Sequence, residues 1–140
     1  MLTKCLFCSL SDKYSLLNNR IIKVHRSYVL LLVLEPESFG HFIVIPKKHY
    51  SDFSQLGSVA NKLFSITLNN AQLITKLLDA PAFTIKINNN LYKLERSNPM
   101  HVGHVHMHVI PRYRVNKSFN AFKSEDEIIK LAKRISKLLK

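Results

Sequence analysis

One stretch, His104-Val105-His106-Met107-His108-Val109-Ile110-Pro111-Arg112, constrains this chain more than any other. Its histidines alternate with apolar residues at period two, the period of a strand, where side chains at i, i+2 and i+4 share one face. On such a strand the three imidazoles project together, their Cα atoms roughly 6.5 Å apart. Val105, Met107 and Val109 then turn into the core behind them. A solvated histidine face or an adventitious chelating strip is the plainer reading. Three in strict register, with four more histidines elsewhere in the chain, weigh toward chemistry instead.

The chain has 140 residues, 46% of them hydrophobic, which suits a single soluble domain with its own core. The longest apolar run, residues 28–34, falls far short of the ~20 residues a membrane-crossing helix needs. Residues 1–5 lack the charged and apolar regions of a secretory leader. A cytoplasmic location and no membrane association are therefore expected. The net charge of +12 favours anionic ligands. Its positive residues are scattered except toward the C-terminus, at Lys123, Lys130, Lys133, Arg134, Lys137 and Lys140, so charge alone does not select a nucleic acid over a nucleotide.

No Gly/Ser linker, repeat or low-complexity block divides the chain. Residues 20–25 and 28–34 read as β-rich runs joined by a short turn, and residues 41–46 as a third strand ended by Pro46. A long helix is expected from Ser58 to about Leu78, with Val59, Leu63, Ile66, Ile74 and Leu77 on one face. Residues 83–88 and 104–110 supply a fourth and a fifth strand. Ser124-Glu125-Asp126-Glu127 has the form of a capping box, opening an amphipathic helix striped by Ile128, Leu131, Ile135 and Leu138. A membrane-surface role for its basic face is the minority reading. Strands, helix, strands, helix, with short early connections, predict an α+β domain with an antiparallel sheet.

Cys5-Leu6-Phe7-Cys8 is a C-x-x-C in a chain with two cysteines in all. Such spacing suggests zinc, a thioredoxin-like redox pair, or simply two free thiols. The redox pair belongs between a strand and a helix of a βαβ unit, and this motif stands at the N-terminus. Zinc needs two more ligands. His49, after the third strand, and His104, at the start of the fifth, complete a set of Cys5, Cys8, His49 and His104 that would tie the N-terminus to the sheet. With four protein ligands such a zinc is structural.

The triad stretch resembles the signature of the histidine triad (HIT) superfamily. Gly40-His41-Phe42-Ile43-Val44-Ile45-Pro46-Lys47-Lys48-His49 is similar to that family's second marker, and Cys5-Leu6-Phe7-Cys8 to the N-terminal motif of its zinc-bearing, Hint-like branch. The resemblance implies a single HIT domain over residues 1–140, with its core at about 5–112 and its C-terminal helix at about 124–139. It implies the HIT-like α+β fold: a five-stranded antiparallel sheet, one long helix and a C-terminal helix, usually as a homodimer. It also implies a nucleotide hydrolase or nucleotidyl transferase acting at the α-phosphate of purine nucleotide conjugates, phosphoramidates or dinucleoside polyphosphates. Structural zinc on Cys5, Cys8, His49 and His104 is part of the same implication, with no organic cofactor.

By the same resemblance His106 is the nucleophile that carries a covalent nucleotidyl intermediate, and His108 faces the phosphate oxygens. His41 assists at the phosphate or leaving group. The nucleophile needs a fixed tautomer, so its second ring nitrogen should donate to a backbone carbonyl. Leu6, Phe7, Leu10, Leu31 and Leu34 match the apolar base pocket, although leucines at such places are equally plain core. Asn88, Asn89 or Asn90 matches a phosphate-contacting asparagine, or else forms a polar turn. The chain also departs from the family. Val33 stands where the acidic residue that holds the ribose hydroxyls belongs, with Glu35 two residues on. Pro99-Met100-His101-Val102 replaces the usual Gly-Gln-Ser-Val, leaving His101 either as leaving-group donor or as a merely exposed residue.

These departures keep a second class open, a non-catalytic nucleotide-binding or interaction module that retains the fold. Nucleic acid is the disfavoured partner. The branch acting on DNA-end adenylates carries a further C-terminal zinc finger, and neither cysteine nor histidine follows Arg112.

Overall fold

The computed structural model describes residues 5–10, 15, 17–94, 102–114 and 124–140. Five strands, β1 (Ile21–Val24), β2 (Tyr28–Leu32), β3 (Phe42–Pro46), β4 (Ala82–Ile87) and β5 (Met107–Arg112), form one sheet in the order β1-β2-β3-β5-β4. Every neighbouring pair is antiparallel. Helix α1 (Val59–Leu77) and helix α2 (Glu125–Leu138) complete the α+β architecture.

The two faces of the sheet are divided by residue parity. Leu30, Leu32, Phe42, Val44, Met107 and Val109 face both helices, in one core with Leu63, Ile74, Leu131 and Ile135. Val29, Leu31, Ile43 and Ile45 face the other way, against Phe7, Leu10 and Leu17 of the N-terminal segment. β2 and β3 are buried throughout, as expected for central strands covered on both sides.

α1 is less apolar on its inner face than the stripe of Val59, Leu63, Ile66, Ile74 and Leu77 suggests. Thr67, Asn70 and Thr75 are buried there, and each bonds a carbonyl four residues back: Leu63 at 2.8 Å, Ile66 at 2.8 Å and Ala71 at 2.6 Å. The polar atoms are thereby satisfied within the helix. Leu63 and Ile74 are core as expected, whereas Leu77 is only half-buried. At α2, Ser124 Oγ accepts from the Glu127 N–H at 3.3 Å, as its sequence requires.

The fifth strand starts later than its alternation predicts. Residues 104–106 precede the ladder, and β5 joins β3 only from Met107. Val105 N–H bonds Tyr50 O instead, at 2.7 Å. Alternation of side chains needs extended backbone, and extended backbone can run ahead of its ladder. The alternation itself holds: Val105, Met107 and Val109 are core.

Gly40 turns the chain into β3 with φ +83°, and a Cβ there would run into the Leu78 side chain. Gly40→Ala is expected to cost about 1–3 kcal/mol through the left-handed backbone and the displaced leucine. A lowered urea midpoint with unchanged slope would record it.

Candidate active site and metal corner

The register of the sheet assembles the site. Leu31 pairs with Ile43, Ile43 with His108, and His108 with Lys86, so one row across β2, β3, β5 and β4 passes from apolar to charged. His106 precedes this row on the same extended run, and His41 stands just before β3. Two concavities meet over these histidines. An apolar one of about 60 Å³ is lined by Leu6, Phe7, Leu31, Val33, Leu34 and Ile43, among others. A polar one of about 290 Å³ is lined by Glu37, Lys86, Asn88 and Tyr92. His41, His106, His108, Glu35 and Val102 border both.

Hydrogen-bond partners fix the imidazole tautomers. His106 Nδ1–H donates to His104 O at 2.8 Å, which leaves Nε2 with its lone pair. Glu37 N–H donates to His41 Nδ1 at 3.1 Å, so His41 carries its proton on Nε2. That proton is directed at His108 Nδ1, 2.9 Å away. His108 must then hold its own proton on Nε2. The arrangement offers a lone pair on one imidazole and an N–H on its neighbour, whose ring centroid lies 4.9 Å away.

Burial keeps all three rings neutral. Desolvation pushes His108 down to about 3, aided by His106, His41 and Lys86. It pushes His41 down to about 4, against the attraction of Glu37. His106 is lowered in the same direction by burial, with its bond to the His104 carbonyl opposing. Charged imidazole is what an apolar pocket excludes.

The metal corner lies beside this site. His104 Nε2–H donates to Pro46 O at 2.7 Å, which turns Nδ1 toward the cysteines. Cys5 Sγ and Cys8 Sγ are 3.5 and 3.6 Å from that nitrogen, and Cys8 Sγ is 3.2 Å from His49 Nδ1. All four ligand atoms lie within 4.8 Å of one another. Tetrahedral zinc with ordinary bond lengths sets S···N at about 3.6 Å. The donor set fits such an ion, and the Pro46 carbonyl supplies the outer partner that orients a ligating imidazole. Desolvation and the adjacent Cys5 push the Cys8 thiol up to about 11. A divalent cation reverses that preference, because it binds thiolate.

The expected residues therefore converge, with exceptions. Leu10 is buried but lines a separate groove with Val24 and Val29 rather than the apolar pocket. Of the three asparagines only Asn88 faces the histidines. Asn89 and Asn90 bond Asp52, at 3.4 and 2.7 Å, and so build the polar turn. Val33 is buried in the apolar wall, and Glu35 is exposed at the seam of the two concavities. Met100 and His101 lie outside the described residues. Glu37, Lys86, Tyr92 and Val102 were not anticipated. Lys86 was findable in principle, because a strand opposite His108 must place a side chain beside it.

An antiparallel sheet carrying two open imidazoles beside a Cys2His2 corner defines a histidine-triad domain. The HIT domain model matches residues 17–115, and the chain belongs to that family. A HIT-like protein of Methanocaldococcus jannaschii is 28% identical over 109 residues, 78% of this chain and 79% of that one. A Zn-bound histidine triad family protein from Mycobacterium smegmatis superposes with a TM-score of 0.71 at 23% identity, covering 97% of this chain and 95% of its own. Plasmodium falciparum diadenosine triphosphate hydrolase does so with a TM-score of 0.69 at 19% identity, covering 91% and 80%. The five-stranded sheet and two helices are thus the fold the resemblance implied. Among the described residues no helix is long and apolar enough to cross a membrane.

Neutral burial has a measurable signature. The folded values of His41 and His108 lie below the ordinary 6.5, so the unfolded chain takes up protons first as pH falls. Their contribution to stability is complete above about pH 6.5 and declines progressively toward pH 3. Urea midpoints should fall across that window. His41→Gln should flatten the decline, and an equally steep decline in that variant would assign the effect to other groups.

Proposed function

We propose that this protein hydrolyses purine nucleotide conjugates at the α-phosphate through a covalent nucleotidyl-His106 intermediate. The observation that carries the reading is the pairing of tautomers: an Nε2 lone pair on buried, neutral His106 beside an Nε2–H on His108. The base would enter the apolar pocket against Leu6, Phe7 and Leu31, and the phosphate would lie over the two imidazoles, with Asn88 at its side. The Nε2 lone pair of His106 attacks phosphorus while the bond to the leaving group breaks. The leaving group takes a proton from solvent in the polar concavity. His108 Nε2–H donates to a non-bridging oxygen, where negative charge grows in the transition state. Water then attacks phosphorus, the P–Nε2 bond breaks, and the water's proton returns to solvent. One water is consumed overall, and both imidazoles are restored.

Zinc belongs to the same proposal, as a structural ion on Cys5, Cys8, His49 and His104. It would pin the N-terminal segment, and with it Leu6 and Phe7, onto the sheet. Purified protein should contain one zinc per chain by elemental analysis. Cys8→Ser should lose the metal and lower Tm by roughly 5 °C or more. A metal-free wild type that gains no stability from added zinc would overturn this part. A homodimer is also proposed, joined through β4, one of the two edge strands of the sheet.

The decisive assay is incubation with nucleoside phosphoramidates and dinucleoside polyphosphates, followed for nucleoside monophosphate release. His106→Ala should abolish an acid-labile nucleotidyl adduct and reduce turnover by about 10³-fold or more. Tight binding without release, in a protein whose zinc and fold are intact, would favour the non-catalytic nucleotide-binding module instead.

A further inference from the structure

Arg20 ends a short 3-10 turn (Asn18–Arg20) directly before β1 and is only 2% exposed. A guanidinium in such a place is costly unless it is paired and hydrogen-bonded. Nη1–H donates to Val33 O at 2.8 Å, and Nη2 pairs with Glu125 in the first turn of α2. Nε is buried without a partner among the described residues. The group therefore links two distant elements, the end of β2 and the first turn of α2.

What it holds is the approach to the histidines. The Val33 carbonyl lies just past the last ladder pair of β2, Leu32 with Phe42. Val33 N–H still bonds His41 O at 3.2 Å, and between them residues 34–40 leave the sheet and return. Ser38 Oγ–H bonds Pro111 O at 2.6 Å, and the Tyr113 hydroxyl bonds Phe39 O at 2.7 Å. Ile128 and Leu131 of α2 line a small cavity of about 20 Å³ together with Pro36 and Gly40. On the front of the same loop, Glu37 N–H sets the tautomer of His41, and His41 sets that of His108.

We propose that Arg20 is a positioning residue for the histidine pair. By tying the Val33 carbonyl to α2, it holds residues 33–41 in the conformation that aims the Glu37 N–H at His41. It touches no reacting atom. The kinetic side of this inference rests on the proposed hydrolase reading; the tautomer side does not.

The test uses the full chain with Arg20→Met, Arg20→Lys and Glu125→Gln, followed by steady-state kinetics and by ¹⁵N NMR of the imidazoles. In wild type, His41 and His108 should each show one protonated and one bare nitrogen. Arg20→Met should lower kcat by about 10²-fold, as an ångström-scale misplacement does, with KM nearly unchanged. It should also average the paired ¹⁵N signals. Arg20→Lys, which keeps the charge and donors on a single nitrogen, should restore part of both effects, and Glu125→Gln should fall between. Wild-type kcat and wild-type ¹⁵N signals in a folded Arg20→Met, whatever its Tm, would reduce Arg20 to a stability residue. Should Arg20→Met not fold, unchanged signals and kcat in both other variants would overturn the proposal equally. Should wild type release no nucleotide, the hydrolase reading fails, and the ¹⁵N pattern across the variants still decides whether Arg20 positions the histidine pair.

Discussion

His104 is the residue on which the site depends, through three separate atoms. Its Nε2–H holds Pro46 O at the end of β3, and its Nδ1 faces Cys5, Cys8 and His49. Its carbonyl accepts a hydrogen bond from His106 Nδ1–H. A histidine is needed because no other side chain donates from one edge and ligates from the opposite one. The carbonyl is useful only because the ring is held: a mobile His104 would leave His106 free to exchange tautomers. Phe7 strengthens the connection, standing edge-on to both rings at centroid distances of 5.8 and 5.0 Å. The Cys2His2 corner therefore bears on the open imidazole through packing as well as through backbone.

The rest of the site is governed by desolvation. The chain is strongly basic, yet its three central imidazoles stay neutral, because each ring is largely withdrawn from water. Charge is confined to the rim, where Glu37 meets Lys86 with both carboxylate oxygens at 3.0 Å. This pair is partly exposed and adds little to stability.

Much of this was legible in the sequence, and the reason is locality. The triad, the C-x-x-C and the Gly-His step are short patterns whose spacing and backbone geometry determine one another. Parity along a strand correctly assigned Val105, Met107 and Val109 to the core. The start of β5 was not legible, because extended backbone and ladder pairing have different ends. Asn88 could not be separated from Asn89 and Asn90, since the distinction depends on Asp52, far away in the chain. Leu10 has the composition of a pocket residue but the position of a core one. Arg20 was beyond reach: its partners, Val33 O and Glu125, are 13 and 105 residues away, and neither leaves a pattern in the sequence.

The rim pair bears most directly on how the neutral relay survives next to a carboxylate. Glu37 supplies the N–H that orients His41, and its side chain stands close enough to pull the His41 pKa upward. A bare carboxylate there would favour an imidazolium and destroy the acceptor at Nδ1. Lys86 opposes this twice. Its ammonium pairs with the Glu37 carboxylate, keeping it ionised while offsetting part of its field, and from its register position opposite His108 it lowers both imidazoles directly. Burial outweighs what remains of the Glu37 attraction, so Glu37 can give its backbone N–H to His41 while that ring stays neutral. The basic residue on β4 is thus an electrostatic counterpart to the glutamate.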